Sequence, residues 1–178
     1  IIYTSGASES NNLAIKGMVQ AGGQPRQHII TTPLEHASVA GALSALGRQG
    51  CAVDVVDVRR DGTVDIEHLH TLLRQDTALV CVCAVDSELG AVQPIAEIAE
   101  FLQGYPHCRL HVDATQAVGR TAPIWRGADT VSLAPHKFYG LNGCGLLLKK
   151  KNLALEPLIH GGGSTTPYRS GTPALGLA

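Results

Sequence analysis

A lysine placed directly after an apolar, strand-like run is poorly explained as a solubilising residue. Lys137 is such a lysine: it follows Val131-Ser132-Leu133 inside Ala134-Pro135-His136-Lys137-Phe138-Tyr139-Gly140. Burial at that place is expected to strip water from the amine, favour its neutral form and make it a nucleophile toward a carbonyl. A second chemical group ends another apolar run, in His111-Val112-Asp113-Ala114-Thr115-Gln116. Asp113 is positioned there either to face a protonated ring nitrogen or to cap a helix. The third is Thr4-Ser5-Gly6-Ala7-Ser8-Glu9-Ser10-Asn11-Asn12, small and hydroxylated residues at a strand-to-helix junction. Gly6 permits close backbone approach, and the free amides of the helix start make an anion site, although simple capping by Ser8 or Ser10 explains the same residues. The loop matches neither the G-x-G-x-x-G nor the G-K-[ST] phosphate pattern.

These groups need a scaffold that brings them together. Apolar runs at residues 1–4, 28–31, 52–58, 78–85, 109–112, 129–133 and 144–149 read as strands, and helical periodicity over 9–21, 36–48, 65–74 and 94–103 separates most of them. Asp65 is the expected cap of the third helix, and Pro94 suits the first turn of the fourth. This alternation predicts an α/β fold with a largely parallel sheet flanked by helices in three layers. In such sheets ligands collect at the carboxyl ends of the strands. Ser5 to Asn12, Glu35-His36, Asp86-Ser87-Glu88, Asp113 to Gln116 and His136-Lys137 all follow strands. A phosphate loop, a carboxylate and an amine in this arrangement suit pyridoxal 5'-phosphate, whose protonated ring stabilises a carbanion at a substrate's alpha carbon.

The chain has 178 residues, 44% of them hydrophobic, which predicts one domain with a substantial core. A formal charge of -1 without runs of one sign argues against nucleic acid or an anionic membrane as partner. No apolar stretch is long enough to span a bilayer and no leader is visible, so the cytoplasm is the expected location. Five cysteines without a framework spacing suit a reducing compartment. Cys81 and Cys83 share one strand face and read as core thiols, His68 and His70 read as surface residues, and no metal site is expected. A start at Ile1 without an initiator Met, and an end without a helix stop signal, predict a piece of a longer protein. The glycine-rich stretch from residue 160 to 163 is expected to open a loop that leaves the domain.

Residues 4–17, 29–39, 93–98, 111–119, 136–145 and 169–172 together resemble the NifS/IscS cysteine desulfurases, fold-type I enzymes of the class V aminotransferase family. The resemblance implies that the whole chain, 1–178, is the PLP-binding large domain, with the family's N-terminal segment and smaller C-terminal domain missing. It implies that Ala7 and Ser8 meet the phosphate, His36 stacks on the pyridine ring and Asp113 pairs with the ring nitrogen. Gln116 would hydrogen-bond the ring hydroxyl, His136 would lie on the phosphate side, and Lys137 would hold the cofactor covalently. Thr172 would reach the phosphate of a partner subunit, which implies a homodimer. The activity implied is removal of sulfur from L-cysteine, giving alanine and an enzyme persulfide that a sulfur-acceptor protein discharges.

Some positions depart from the family. Ser8 replaces a Thr, Ser87 stands where an Asn would contact the cofactor, Ala134 removes a phosphate-binding hydroxyl, and Ser164-Thr165-Thr166-Pro167 lacks an Arg. Each lost neutral hydrogen bond costs roughly 1 kcal/mol, so weaker cofactor binding is expected. The nucleophilic cysteine of the family lies beyond the R-S-G-T motif, and none of the five cysteines here occupies its place. Two other readings use the same residues: a class V aminotransferase or lyase acting on another amino acid, and a non-catalytic, truncated or degenerate domain of this fold.

Overall fold

In the computed structural model, which describes residues 1–21, 28–162 and 166–171, the apolar runs become strands, the central ones covered on both faces. Seven strands are present among the described residues: β1 (Ile2–Thr4), β2 (His28–Thr31), β3 (Ala52–Val55), β4 (Thr77–Cys83), β5 (Arg109–Asp113), β6 (Thr130–Leu133) and β7 (Gly145–Lys149). Their order is β1-β7-β6-β5-β4-β2-β3. The pairs from β6 through β5, β4 and β2 to β3 are parallel, and β7 runs antiparallel to both β1 and β6.

The period of two along a strand explains the layers. Ile29, Leu79, Cys81 and Leu147 pack on one face with Leu13, Ile15 and Met18 of α1 (Ala7–Ala21) and with Val39, Leu43 and Leu46 of α2 (Ala37–Arg48). Ile30, Val80, Val82, Val112 and Val131 point the other way. They pack with Leu69 of α3 (Ile66–Leu72) and with Ile95 and Ile98 of α4 (Ile95–Phe101). A strand buried on both faces has no polar side to alternate with, which is why these runs are continuously apolar.

The elements differ from the expected ones mainly at their ends. β3 stops at Val55 because the chain turns: Val56 N–H still donates to Thr31 O, but Arg59 N–H pairs with Thr63 O and Val58 bridges Val64. β4 stops at Cys83, and Asp86 to Ala91 forms a turn closed by Asp86 N–H to Ala91 O. α4 passes into a 3-10 turn over Leu102–Gly104. Asp65 caps α3 by accepting from Glu67 N–H and His68 N–H. Pro94 precedes the first turn of α4 and makes no side-chain cap. The glycine-rich stretch runs into residues 163–165, which lie outside the described residues, and the described residues after it return to the domain. Ser170 N–H donates to Ile159 O, and Tyr168 packs on the α1 side of the core.

Candidate active site

The carboxyl ends of β2, β4, β5 and β6 and the start of α1 converge on one cavity of about 510 Å³. The loop after β1 contributes Ser5 to Glu9, the loop after β2 contributes Leu34 and His36, and β4 with its turn contributes Cys83 and Ser87. Asp113, Thr115 and Gln116 enter from the end of β5, and Ala134, His136 and Lys137 from the end of β6. Ala7, Ser8, His36, Ser87, Asp113, Gln116, His136 and Lys137 therefore line one space, although up to 130 residues separate them (137 minus 7). Thr172 lies outside the described residues.

The loop before α1 is tightly organised. Thr4 Oγ1 donates to Gly6 O, and Ser10, lying 2.7 Å away, then donates its hydroxyl to Thr4 Oγ1. The helix closes with Ser10 N–H on Gly6 O, so neither Ser8 nor Ser10 acts as its cap. First-turn amides of a helix have no carbonyl partner within it, so this end retains its capacity for an anion. The only acid of the first turn is committed elsewhere: Glu9 accepts from Ser5 N–H, Ser5 Oγ and Arg169 Nε at 2.7–2.8 Å. Burial pushes the Glu9 carboxyl up, and the bonds from Arg169 and Ser5 outweigh it and hold it below its ordinary value. The same pair fastens Arg169, at the head of the R-S-G-T stretch, beside the loop.

Gly145 of β7 backs this loop. A Cβ there would fall 2.6 Å from both Gly6 Cα and Gly6 O, which are backbone atoms that cannot swing aside. Gly145→Ala should therefore displace the Gly6 backbone, costing about 1–3 kcal/mol of stability and weakening any anion held by the loop. Urea unfolding and phosphate-ester binding measured on the same variant check both parts.

Lys137 sits in a 3-10 turn over Pro135–Phe138 that is shaped by its neighbours. Gly140 follows Tyr139, a non-glycine residue at φ 64°, and a Cβ at Gly140 would fall 2.7 Å from Pro135 Cβ. Arg120 clamps the turn: its Nη2 donates to Lys137 O at 2.8 Å, and its Nη1 donates to Gln116 O and Gln116 Oε1. With Oε1 taken, the Gln116 amide has its N–H groups left to offer. The lysine side chain is exposed, which corrects the expectation of a buried amine: this chain by itself does not desolvate it. Occupation of the cavity, or a covering surface, has to supply that.

Asp113 is buried and fully engaged. Its Oδ1 accepts from Thr115 N–H at 3.0 Å and its Oδ2 from Asn11 Nδ2 at 2.8 Å. The helix-cap alternative fails because turns, not a helix, follow β5. His36 caps α2, with its Nδ1 accepting from Ser38 N–H at 3.1 Å. Asn11 and Arg120, which the sequence reading gave no role, thus contact several of the expected site residues. Asn11 was visible only as part of the loop motif, and Arg120 only as a charge four residues after Gln116.

Behind His36, the carboxyl of Glu35 is enclosed although the residue as a whole is half-buried. Its Oε1 accepts from Thr32 Oγ1 and Cys83 N–H, and its Oε2 has no partner. Burial pushes this carboxyl from 4.5 up to about 7. The folded chain then keeps a proton that the unfolded chain releases, so the part of the stability linked to this proton is fully present below about pH 4.5 and is lost as pH rises to about 7. Glu35→Gln should remove this part of the pH dependence, as compared by denaturant unfolding across that interval.

Burial likewise pushes the thiol of Cys108 up to about 12 and those of Cys81 and Cys83 well above their ordinary value. All five cysteines are buried and none forms a disulfide. A thiol held in its protonated form is a poor nucleophile, so Cys83, although it lines the cavity, is not an attacking group. Among the described residues no cluster of His, Cys, Asp or Glu could hold a metal, and no helix is long and apolar enough to cross a membrane.

The cavity suits a phosphorylated aromatic aldehyde. It offers an anion loop, a buried carboxylate, an amide and an amine, and the hydroxyl of Thr115 at its wall is buried without a partner. Pyridoxal 5'-phosphate would use each of them.

Residues 1–173 match the aminotransferase class-V family. A NifS/IcsS protein homolog of Lactobacillus delbrueckii subsp. bulgaricus is 43% identical over 180 residues, covering 98% of this chain and 46% of the relative. Cysteine desulfurase IscS 1 of Archaeoglobus fulgidus is 38% identical over 174 residues, covering 97% and 45%. Among solved structures, DndA from Streptomyces lividans superposes with a TM-score of 0.91 at 36% identity, covering 99% of this chain and 51% of that one. A NifS-like protein superposes at 0.92 with 34% identity, covering 98% and 49%. The chain thus spans about half the length of the curated relatives it matches.

Proposed function

Because this chain belongs to the aminotransferase class-V family, whose members depend on pyridoxal phosphate, we propose that it is the cofactor-binding large domain of a longer cysteine desulfurase. The observation that carries this reading is the convergence of Lys137, Asp113 and the Ser5-to-Ser8 loop on one cavity, in a chain whose relatives are named cysteine desulfurases. When bound, the cofactor would supply an electron sink for the charge that develops at the substrate's alpha carbon.

Everything else falls to this chain's own groups. The first-turn amides of α1, with Ser8, would hold the phosphate. Asp113, fixed by Thr115 and Asn11, would face the ring nitrogen, and the Gln116 amide would donate to the ring hydroxyl. His36 would cover the ring and His136 would lie on the phosphate side. Lys137 Nζ would hold the cofactor and would take and return the proton at the alpha carbon. Thr172 would complete the phosphate site of a second subunit. Exposed Tyr139 and Leu141, two and four residues after Lys137, support a homodimer by offering apolar surface near the cavity.

The nucleophile comes from outside this chain. L-cysteine and a cysteine thiolate would give alanine and a persulfide on that cysteine, from which an acceptor protein takes the sulfur. The unpaired thiols favour the cytoplasm as the place of action. Relative to the family pattern, Ser87→Asn and Ala134→Ser should each tighten cofactor binding by about 1 kcal/mol, roughly fivefold, by restoring a hydrogen bond. Spectrophotometric titration with the cofactor checks this.

The reading is tested by supplying the full-length protein, loaded with cofactor, with L-cysteine and measuring alanine and protein-bound sulfur. Alanine with an equal amount of sulfur on the protein supports it. Turnover of another amino acid to its keto acid without sulfur release supports a class V aminotransferase, and a protein that takes up no cofactor is a non-catalytic domain of this fold.

A further inference from the structure

We infer that Asn11, locked in place by His111, is a positioning residue that holds the Asp113 carboxylate in the cavity and ties it to the seat of His36. The inference rests on the cofactor reading of that cavity and adds two residues to it. Asn11 is completely buried, and every hydrogen-bonding group of its amide is directed. Nδ2 donates to Asp113 Oδ2 at 2.8 Å and to Ser38 Oγ at 2.8 Å, while Oδ1 lies 3.0 Å from His111 Nε2.

The donor and acceptor roles along this chain follow from one fixed point. An ionised carboxylate only accepts, so the amide nitrogen of Asn11 faces Asp113 and its oxygen faces His111. His111 must then carry its proton on Nε2, and its Nδ1, 2.8 Å from Thr130 Oγ1, accepts the Thr130 hydroxyl. Burial pushes the imidazole of His111 down to about 4, so it stays neutral and can play both parts. On the other branch, Ser38 Oγ accepts from Asn11 and passes its own proton to His36 Nδ1 at 2.8 Å, where Ser38 N–H also donates.

The physical consequence is a single allowed orientation for the Asn11 amide. Turning it over would aim its oxygen at the Asp113 carboxylate, a repulsion between two acceptors in a buried site that no tautomer of His111 relieves. The side chains of β5, β6, α1 and α2 are thereby joined in one arrangement. Asp113 is held by a charge-assisted bond from a residue 102 positions away in the sequence.

The experiment compares Asn11→Leu, His111→Leu, His111→Gln and Ser38→Ala in the full-length protein, each alone and Asn11→Leu also combined with Asp113→Asn. Cofactor affinity and the absorbance spectrum of the bound cofactor against pH are measured. Nitrogen-15 spectra of the cofactor-free protein report the His111 ring. Asn11→Leu and His111→Leu should lower affinity about tenfold and shift the pH profile of the absorbance. His111→Gln, which can place an amide N–H where Nε2–H stood, should restore most of both, and Ser38→Ala should leave the profile in place. Asn11→Leu should add nothing in the Asp113→Asn background, because it acts through that carboxylate. Nitrogen-15 spectra should show His111 protonated at Nε2 alone. Independent, additive effects of Asn11→Leu and Asp113→Asn, or a His111 ring protonated at Nδ1, would overturn the inference. If Asn11→Leu does not fold, the His111 pair decides the matter by the presence or absence of rescue. A wild-type protein with the stated His111 proton but no uptake of cofactor would overturn the functional reading and leave the hydrogen-bond chain standing.

Discussion

Lys137→Ala in the full-length protein is expected to abolish covalent retention of the cofactor and to lower turnover by roughly a thousandfold or more, with almost no change in stability. The two halves of this expectation come from different atoms. The stability half rests on the backbone: Lys137 N–H donates to Ala134 O and Lys137 O accepts from Arg120, and both bonds survive the truncation. The side chain itself is exposed and makes no packing contribution to the core, so a change within about 0.5 kcal/mol is expected. The chemical half rests on the amine. Removing a positioned proton-transfer group costs about two to four orders of magnitude, and in the proposed reading the same group would also anchor the cofactor. Thermal unfolding and single-turnover kinetics on one preparation measure both. A large loss of stability would show that the Lys137 side chain supports the fold and would remove the basis for its chemical role.

Asp113→Asn is expected to be the more damaging change to the fold and nearly as damaging to the chemistry. Each carboxylate oxygen already accepts one N–H, from Thr115 and from Asn11. An amide has only one oxygen, so one of those donors must come to face an NH2 group in a buried site, at about 1–3 kcal/mol. The charge proposed to face the ring nitrogen would be lost as well, and removal of one preorganised electrostatic partner lowers rates by roughly a hundredfold to a thousandfold. Asp113→Glu is the informative companion. It keeps the charge but moves it by a methylene, so it should recover more stability than rate. Denaturant unfolding and turnover, measured for both variants, check this ordering; equal rates for Asp113→Asn and wild type would show that no ring nitrogen depends on the carboxylate.

The sequence made the sheet legible because strands such as β4, Thr77–Cys83, are covered on both faces and must be apolar throughout. The site was legible for a related reason. Polar residues that follow such strands can only collect at one edge of a parallel sheet, so His36, Asp113 and Lys137 could be expected to meet. Three things were not legible. The contact between Gly145 and Gly6 depends on how β7 lies against β1, and an antiparallel strand inserted between parallel neighbours has no marker in its own residues. The roles of Asn11 and His111 depend on bonds that span α1, β5 and β6, whereas each residue alone reads as part of a local motif. Its apolar neighbours in sequence predict that Lys137 is desolvated, yet its side chain is exposed. In space Tyr139 turns outward and Phe138 is only half-buried, so the buried Leu133 and Ala134 leave the amine uncovered.

The central claim is that the amine of Lys137 and the carboxylate of Asp113 serve one aromatic cofactor. Its most direct test is borohydride reduction of the protein with pyridoxal 5'-phosphate, followed by digestion and mass mapping of the lysine that carries the pyridoxyl group. The account predicts the label on Lys137 alone, with uptake much reduced in Asp113→Asn. A label on Lys16 or on any of Lys149 to Lys151, or no label at all, would contradict it.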